Sequence, residues 1–359
     1  MSESFNHNDA IIFDGLIVSN WSEAVFADMR RGGLTGANCT CSDWEGFRDT
    51  MVNIGHWNHW FEVHGDLIVK ARSVADIRQA KVDGRTAIVL GFQNTSAFED
   101  RLEFIRIFKD AGIGIAQMTY NTQNLVGSGC YETTDGRLSD FGHDVVGEMN
   151  RVGMLCDLSH VGPKTSRNVI TASAKPVAYS HCLPMGLKEH PRNKTDDELR
   201  FIADRGGFIG VTMFPPFLRR GIDARIPDYI EAIDYIINIA GENAVGIGTN
   251  FTQGQPDEFI RWITHDKGHG RKLTEFGPVK FPDGLGSIGA LANLSKGMRA
   301  AGWPDSRIGK IMGENWLRLL DAVGLRSGYG ARRRRGVCGA GRRNIGPRPS
   351  TWWRWRPQP

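Results

Sequence analysis

The sequence predicts a (β/α)8 barrel over residues 1–325. Three observations carry this prediction: eight short apolar runs, intervening stretches long enough for a helix, and glycines where several of those helices would end. Near-continuous apolar strands are typical of a parallel sheet buried on both faces. A doubly wound open sheet is the alternative. The absence of a G-x-G-x-x-G segment after the first run argues against its dinucleotide-binding form.

The eight runs extend from residue 10 to residue 251. They are 10–18, 35–40, 86–93, 112–120, 153–160, 175–181, 207–214 and 243–251. The segments MRRGG, KDAGI, NRVGM and ADRGG each place glycine just beyond a charged helical run, which is the helix C′ position. Thr195, followed by acidic residues, is the expected N-cap of another helix. The long stretch 252–290 is expected to form loops or helices that cover the mouth of the barrel.

The composition is that of a globular protein, with 40% hydrophobic and 23% charged residues. No apolar run approaches about 18 residues, so no membrane span or membrane partner is expected. The polar N-terminus lacks the features of a signal peptide, which predicts a cytoplasmic location. The six cysteines form no C-x-x-C pair, so neither a disulfide scaffold nor a zinc finger is indicated.

Residues 326–359 differ sharply in composition from the rest of the chain. They contain ten arginines and no Asp, Glu or Lys, which leaves 34 basic and 40 acidic residues in 1–325. Such a segment cannot bury enough apolar surface to fold, so we expect a disordered tail. Arginines interleaved with tryptophans could bind nucleic acid. A neutral or frameshift-derived extension is favoured instead, because its residues are those of GC-rich codons.

Polar side chains follow five of the eight runs, and barrel enzymes carry their catalytic groups at these strand ends. The residues are Gln93, Asn94, Tyr120, Asn121, His160, His181 and Asn250. Because adjacent strands lie about 4.8 Å apart, His160 and His181 could share one metal ion. Either could equally be a structural histidine. In the loop after His181, Arg192 could present its guanidinium to a substrate carboxylate or be a solvated loop side chain, and His190 is expected at the loop surface.

At these segments the chain resembles the membrane (renal) dipeptidase family, peptidase family M19. The stretches DLSHVG, YSHC, HPRNKTDDEL and AVGIGTNF are similar to the family's LSH, SH, RN-x-x-DD and G-x-G-x-D-F segments, in the same order. ENW at 314–316 is similar to the family's closing helix motif. The resemblance covers roughly residues 10–325. It implies a (β/α)8 metal-dependent hydrolase in which two zinc ions, bridged by a glutamate, activate the water that attacks a dipeptide bond.

Some positions match the family residue by residue. His160 and His181 correspond to the ligands of the second zinc ion, and Arg192 corresponds to the residue that grips the substrate carboxylate. Asn121, beside the residue that would polarise the substrate, is a further candidate for substrate binding.

Other positions depart from the family. Leu16 and Val18 stand where the first zinc is held by His-x-Asp, and neither can bind a metal. Gln93 replaces the bridging glutamate, Tyr120 the substrate-polarising histidine, and Asn250 the acid/base aspartate. A glutamine oxygen is a weak zinc ligand, and asparagine cannot transfer a proton.

We therefore expect a degenerate hydrolase site that holds at most one zinc ion, through His160, His181 and weakly Gln93. Tyr120 and Asn250 are the candidate catalytic residues, and Arg192 and Asn121 the candidate substrate-binding residues. The expected substrate is a dipeptide or a related small amide with a free carboxylate. The alternative is a catalytically inactive or repurposed barrel that binds a small molecule. A nucleic-acid partner is not favoured, and a homodimer is left open.

Overall fold

The computed structural model describes residues 5–325, and these residues form a parallel barrel surrounded by helices. The strands are β1 (Phe13–Ile17), β2 (Gly36–Ser42), β3 (Ile68–Lys70), β4 (Thr86–Phe92), β5 (Ile113–Gln117), β6 (Leu155–Asp157), β7 (Ala178–Cys182), β8 (Phe208–Val211) and β9 (Val245–Ile247). Neighbours pair in the order β1-β2-β4-β5-β6-β7-β8-β9, and β3 pairs with β4 alone. Each of the eight predicted runs overlaps one strand of this order, and β2 and β7 extend one or two residues beyond theirs, so the predicted fold class is confirmed.

The sheet closes between its first and last strands. The amide of Val18 donates to the carbonyl of Phe251 at 3.0 Å, and the amide of Asn250 donates to the carbonyl of Leu16 at 2.9 Å. Ile17 and Phe251 form a parallel bridge at the same place. The open-sheet alternative is therefore wrong, because the edge strands of an open sheet would not pair with each other.

Helices fill the connections. They are α1 (Glu23–Arg31), α2 (Phe47–Val63), α3 (Val74–Val82), α4 (Leu102–Ala111), α5 (Asp140–Val152), α6 (Pro163–Ala172), α7 (Asp196–Ala203), α8 (Ile226–Ala240), α9 (Asp257–Ile263), α10 (Ala292–Ala300), α11 (Asp305–Gly309) and α12 (Asn315–Val323). The helices α1, α4 and α5 end at the predicted glycines, whereas α7 ends at Ala203, before the glycines of ADRGG. Gly112 and Gly153 cap α4 and α5 in the left-handed conformation. Thr195 caps α7 and forms a capping box with Glu198, as expected.

Trp316 of α12 packs against the interior of the sheet, under the strands. Its ring lies 4.4 Å from that of Phe208 and 5.7 Å from that of Phe13, and its indole N–H donates to the carbonyl of Ile247 at 2.7 Å. A Cβ on Gly15 would lie 2.3 Å from the Trp316 ring, so this strand position requires glycine. The final helix therefore contributes directly to the core.

The stretch 252–290 adds α9 and several single turns beyond the last strand, and its side chains line the cavity described below. Within residues 5–325, no helix combines the length and apolar character needed to cross a bilayer. The predicted tail at 326–359 lies outside the described residues, so the proposed boundary after residue 325 stays a prediction.

Candidate functional site

The carboxyl ends of the strands surround a cavity that is partly open to solvent. Six of the residues singled out from the sequence line it: Gln93, Tyr120, Asn121, His160, Arg192 and Asn250. The seventh, His181, lies directly behind His160. The structure therefore brings all seven candidates together, although they are spread over more than 150 residues of sequence.

His160 and His181 face each other through their Nε2 atoms, which are 2.9 Å apart. His181 belongs to β7 and His160 follows the end of β6, so neighbouring strands deliver the two rings. Both side chains are buried. Burial, together with the nearby positive charge of Arg192, holds the pKa of each imidazole well below its ordinary value. Both rings are therefore neutral near pH 7.

The hydrogen bonds behind the rings decide which nitrogen carries the proton. His160 Nδ1 is 2.6 Å from Asn121 Oδ1, an atom that can only accept, so Nδ1 is the protonated nitrogen. His181 Nδ1 is 2.7 Å from Ser180 Oγ. The Ser180 hydroxyl donates its own proton to Asp157 Oδ2 at 2.6 Å. His181 Nδ1 must then also be the donor. With a lone pair on each Nε2, the two atoms would repel at 2.9 Å, so this pair of tautomers is favoured only when a cation binds between the rings.

Asp157, at the end of β6, accepts hydrogen bonds from the serines next to both histidines. Its Oδ1 accepts from the Ser180 amide at 2.8 Å and from the Ser159 hydroxyl at 2.7 Å. The Ser159 hydroxyl in turn accepts from the His181 amide at 3.0 Å. One buried carboxylate thus fixes both strand ends. Neither Asp157 nor Ser180 was predicted from the sequence as a site residue, although each lies within three residues of a candidate histidine.

The imidazoles of His160 and His181 are placed together where both could hold a metal ion. Converging neutral imidazoles whose Nδ1–H groups are held by acceptors are the usual arrangement of histidine ligands. Within the described part of the chain, no group of three His, Cys, Asp or Glu side chains is placed to hold a metal. The amide nitrogen of Gln93 donates to Thr40 Oγ1 at 3.2 Å. The amide oxygen of Gln93 is then the atom that could contact a metal ion. Leu16 and Val18 offer no ligand atom.

Arg192 is buried, with 1% of its surface exposed, so it is not a solvated loop side chain. Its guanidinium donates to the carbonyl oxygens of Ser159 and, at 3.2 Å, of His181. Its charge centre lies 5.3 Å from the ring centre of Phe217. Its Nε has no hydrogen-bond partner among residues 5–325. A buried cation of this kind is suited to an incoming anion.

His190 is also less exposed than the sequence predicted. It is half-buried, its Nδ1 accepts from the Arg192 amide at 3.1 Å, and its ring lies 4.7 Å from that of Phe217. Burial and the charge of Arg192 lower its pKa to about 4. His190 is therefore only partly exposed, with its ring in contact with that of Phe217.

Tyr120 stacks on His160, with ring centres 4.3 Å apart. Trp44 packs edge-on against the other side of Tyr120 at 4.8 Å. Burial, followed by the negative charge of Asp43, raises the pKa of the Tyr120 hydroxyl well above its ordinary value. Tyr120 is therefore a neutral hydrogen-bond donor at the edge of the cavity.

Asn121 and Asn250 both adopt the left-handed backbone conformation, with φ of 64° and 59°. Asparagine tolerates this region better than most residues. The turn directs each side chain toward the cavity directly after its strand. The oxygen of Asn121 is engaged by His160, so this residue orients a ring as well as lining the cavity.

Aromatic and aliphatic side chains form most of the rest of the cavity wall. Val18 was noted from the sequence, whereas six others were not: Tyr131, Phe214, Phe217, Phe259, Ile263 and Phe276. The segment Phe214–Phe217, with sequence FPPF, was a usable signal, because an apolar cluster directly after a strand end seldom lies in solvent.

A closed barrel with paired histidines and a buried arginine at its strand ends has the layout of a metal-dependent hydrolase. The chain belongs to the membrane dipeptidase family, peptidase family M19, whose family model matches residues 26–261. The resemblance noted from the sequence is thereby confirmed.

Relatives support this assignment. The chain is 57% identical to a solved amidohydrolase from Pseudomonas aeruginosa, with a TM-score of 0.87 over 88% of this chain and 97% of that one. It is 30% identical over 210 residues to dipeptidase aclJ of Aspergillus oryzae, covering 57% of this chain and 50% of that protein. The chain thus matches half the length of that relative.

A metallo peptidase from Rhodobacter sphaeroides, solved with a phosphinate mimic of the dipeptide L-Ala-D-Ala, shares the fold. It is 19% identical, with a TM-score of 0.74 over 88% of this chain and 99% of that one.

Proposed function

We propose that the protein hydrolyses the amide bond of a dipeptide or a related small amide with a free carboxylate, in a metal-dependent reaction. One observation carries the proposal: the Nε2 atoms of His160 and His181, 2.9 Å apart, lie beside a cavity that also contains the guanidinium of Arg192. Membership of the dipeptidase family supports the same reaction class.

The metal would be one zinc ion, held by His160 and His181 with Gln93 as a weak third ligand. When bound, zinc supplies the Lewis acidity that lowers the pKa of water to about 7 in sites with three protein ligands. A neutral amide in place of a carboxylate or imidazole weakens both the affinity and this effect. We therefore propose a one-ion site with modest metal affinity.

The protein's own side chains would bind and orient the substrate. Arg192 would take the carboxylate, because its charge is buried and has no anionic partner among the described residues. Tyr120 would donate its hydroxyl proton in a hydrogen bond to the scissile carbonyl oxygen, since its raised pKa keeps it protonated. Asn250 would accept or donate a hydrogen bond but could not shuttle a proton.

A second candidate function is small-molecule binding without catalysis. It is favoured by one observation, the lack of a third strong metal ligand within the described part of the chain. In that case Arg192 and the aromatic wall would hold the ligand and no water would be activated.

The proposal is tested by turnover of a panel of small amides after chelation and after reloading with zinc. We expect hydrolysis that is lost on chelation, returns with zinc, and falls at least 100-fold in His160→Ala. His143→Ala, at an exposed histidine of α5, is the matched control and should retain full activity. Tight binding of a panel member with no turnover in zinc-loaded protein would favour the second candidate.

A further inference from the structure

The cavity is lined by both polar and apolar side chains. His160, Arg192 and Asn250 supply polar groups, and Phe214, Phe259 and Phe276 supply aromatic rings. A ligand that fills it must place a polar group near the strand ends and an apolar group against the aromatic rings.

The cavity contains one permanent charge. Of the described side chains that line it, Arg192 alone is ionised at neutral pH, and none is Asp, Glu or Lys. Three strand ends place uncharged side chains in the cavity wall: Val18, Gln93 and Asn250. A ligand that carries a single carboxylate would pair its charge with Arg192. A ligand that also carries an ammonium group would bury it without a partner, which is costly.

The carboxylates nearest the cavity do not line it. Asp43 is buried and is not among the lining side chains. Asp266 accepts from the hydroxyl of Thr122 at 2.8 Å. In the adjoining open groove, Glu275 pairs with Lys272 at 2.5 Å. None of these is placed to receive an ammonium group inside the cavity.

We propose that the preferred substrate is a monoanionic N-acylated apolar amino acid and not a zwitterionic dipeptide. This inference rests on the proposed hydrolase function and narrows its substrate class. Water adds its oxygen to the acyl carbon, the C–N bond breaks, and the nitrogen takes a proton from that water. The products are a carboxylic acid and a free amino acid. The carboxylate of the substrate pairs with Arg192 and its apolar side chain packs on the aromatic wall.

The test compares two ligands that differ by one amino group, N-propionyl-phenylalanine and alanyl-phenylalanine, each in both configurations at the phenylalanine. Both kcat/KM and the dissociation constant from calorimetry are measured at pH 6.5, where an α-amino group of pKa about 7.7–8.0 carries its proton. We expect the N-acyl compound to be preferred at least 10-fold in both quantities. Equal values, or a preference for the dipeptide, would overturn the inference.

Asn250→Asp adds a carboxylate to the cavity wall without changing the size of the side chain. It should shift the preference toward the dipeptide at least 10-fold, whereas Asn8→Asp, at an exposed position, should leave the preference unchanged. A preference that does not move in Asn250→Asp would show that charge is not its cause and would overturn the inference.

Measured binding affinities distinguish a failure of the proposed substrate class from a failure of the proposed hydrolase function. If zinc-loaded protein hydrolyses neither compound but binds the N-acyl compound at least 10-fold more tightly, the substrate class stands and the hydrolase function fails. If both are hydrolysed with equal kcat/KM, the hydrolase function stands and the substrate class fails.

Discussion

Replacing Arg192 with methionine should abolish discrimination between a carboxylate and its neutral amide. Arg192 has the only charge among the described side chains of the cavity, it is 1% exposed, and its Nε lacks a partner among residues 5–325. A hydrogen-bonded charge pair that excludes water is worth about 2–4 kcal/mol when one partner is truncated. That range corresponds to a loss of roughly 30-fold to 1,000-fold in kcat/KM. Methionine keeps most of the length of the side chain and removes the charge.

The assay measures kcat/KM for a substrate with a free carboxylate and for the same compound as a carboxamide. The wild-type protein should prefer the carboxylate, and Arg192→Met should remove that preference while changing carboxamide turnover little. Calorimetric binding of both compounds serves as the readout if turnover is too slow.

Lys194→Met is the matched control for this experiment. Lys194 is another buried cation, and its Nζ donates to the carbonyl of Val161 at 2.9 Å, but it does not line the cavity. Its replacement should change stability and leave the carboxylate preference intact. An unchanged preference in Arg192→Met, or an equal loss in both variants, would refute the assignment of carboxylate binding to Arg192.

Three further predictions concern the fold. Trp316→Ala should lower the free energy of unfolding by about 3–5 kcal/mol in urea titrations, because it empties a fully buried site and removes the bond to Ile247. Thr195→Ala should cost about 1 kcal/mol through loss of the α7 cap, and Thr195→Ser, which keeps the hydroxyl, much less. Burial raises the pKa of Asp14 to about 6, so the folded state binds this proton more tightly than the unfolded state. Stability relative to Asp14→Asn should therefore fall by about 2–3 kcal/mol as pH rises from about 4 to 6, and a flat difference would contradict this.

The barrel could be predicted from sequence because its signals are local. Apolar runs and the glycines at helix ends, such as Gly112 and Gly153, depend on residues close together in the chain. The strand β3 (Ile68–Lys70) was missed because three residues give no periodicity and its pairing with β4 is tertiary. The runs also predicted which side chains follow the strands.

The burial, protonation and charge environment of the site residues could not be predicted in the same way. Arg192 lies in the polar loop HPRNKT, which indicates exposure, yet it is buried through contacts with the carbonyls of Ser159 and His181 that are distant in sequence. The proton position on His160 depends on Asn121, 39 residues away in the sequence. The proton position on His181 depends on Ser180, whose hydroxyl donates in turn to Asp157. The uncharged character of the cavity is likewise a property of the assembled wall.

The number of metal ions per chain tests the central claim most directly. Protein purified without chelators, loaded with zinc and desalted should contain about one equivalent by mass spectrometry, and His160→Ala and His181→Ala should each lose it. His143→Ala should retain it. A wild-type protein with no bound zinc after loading would contradict a metal-dependent hydrolase, and two equivalents would contradict a site built on one pair of histidines.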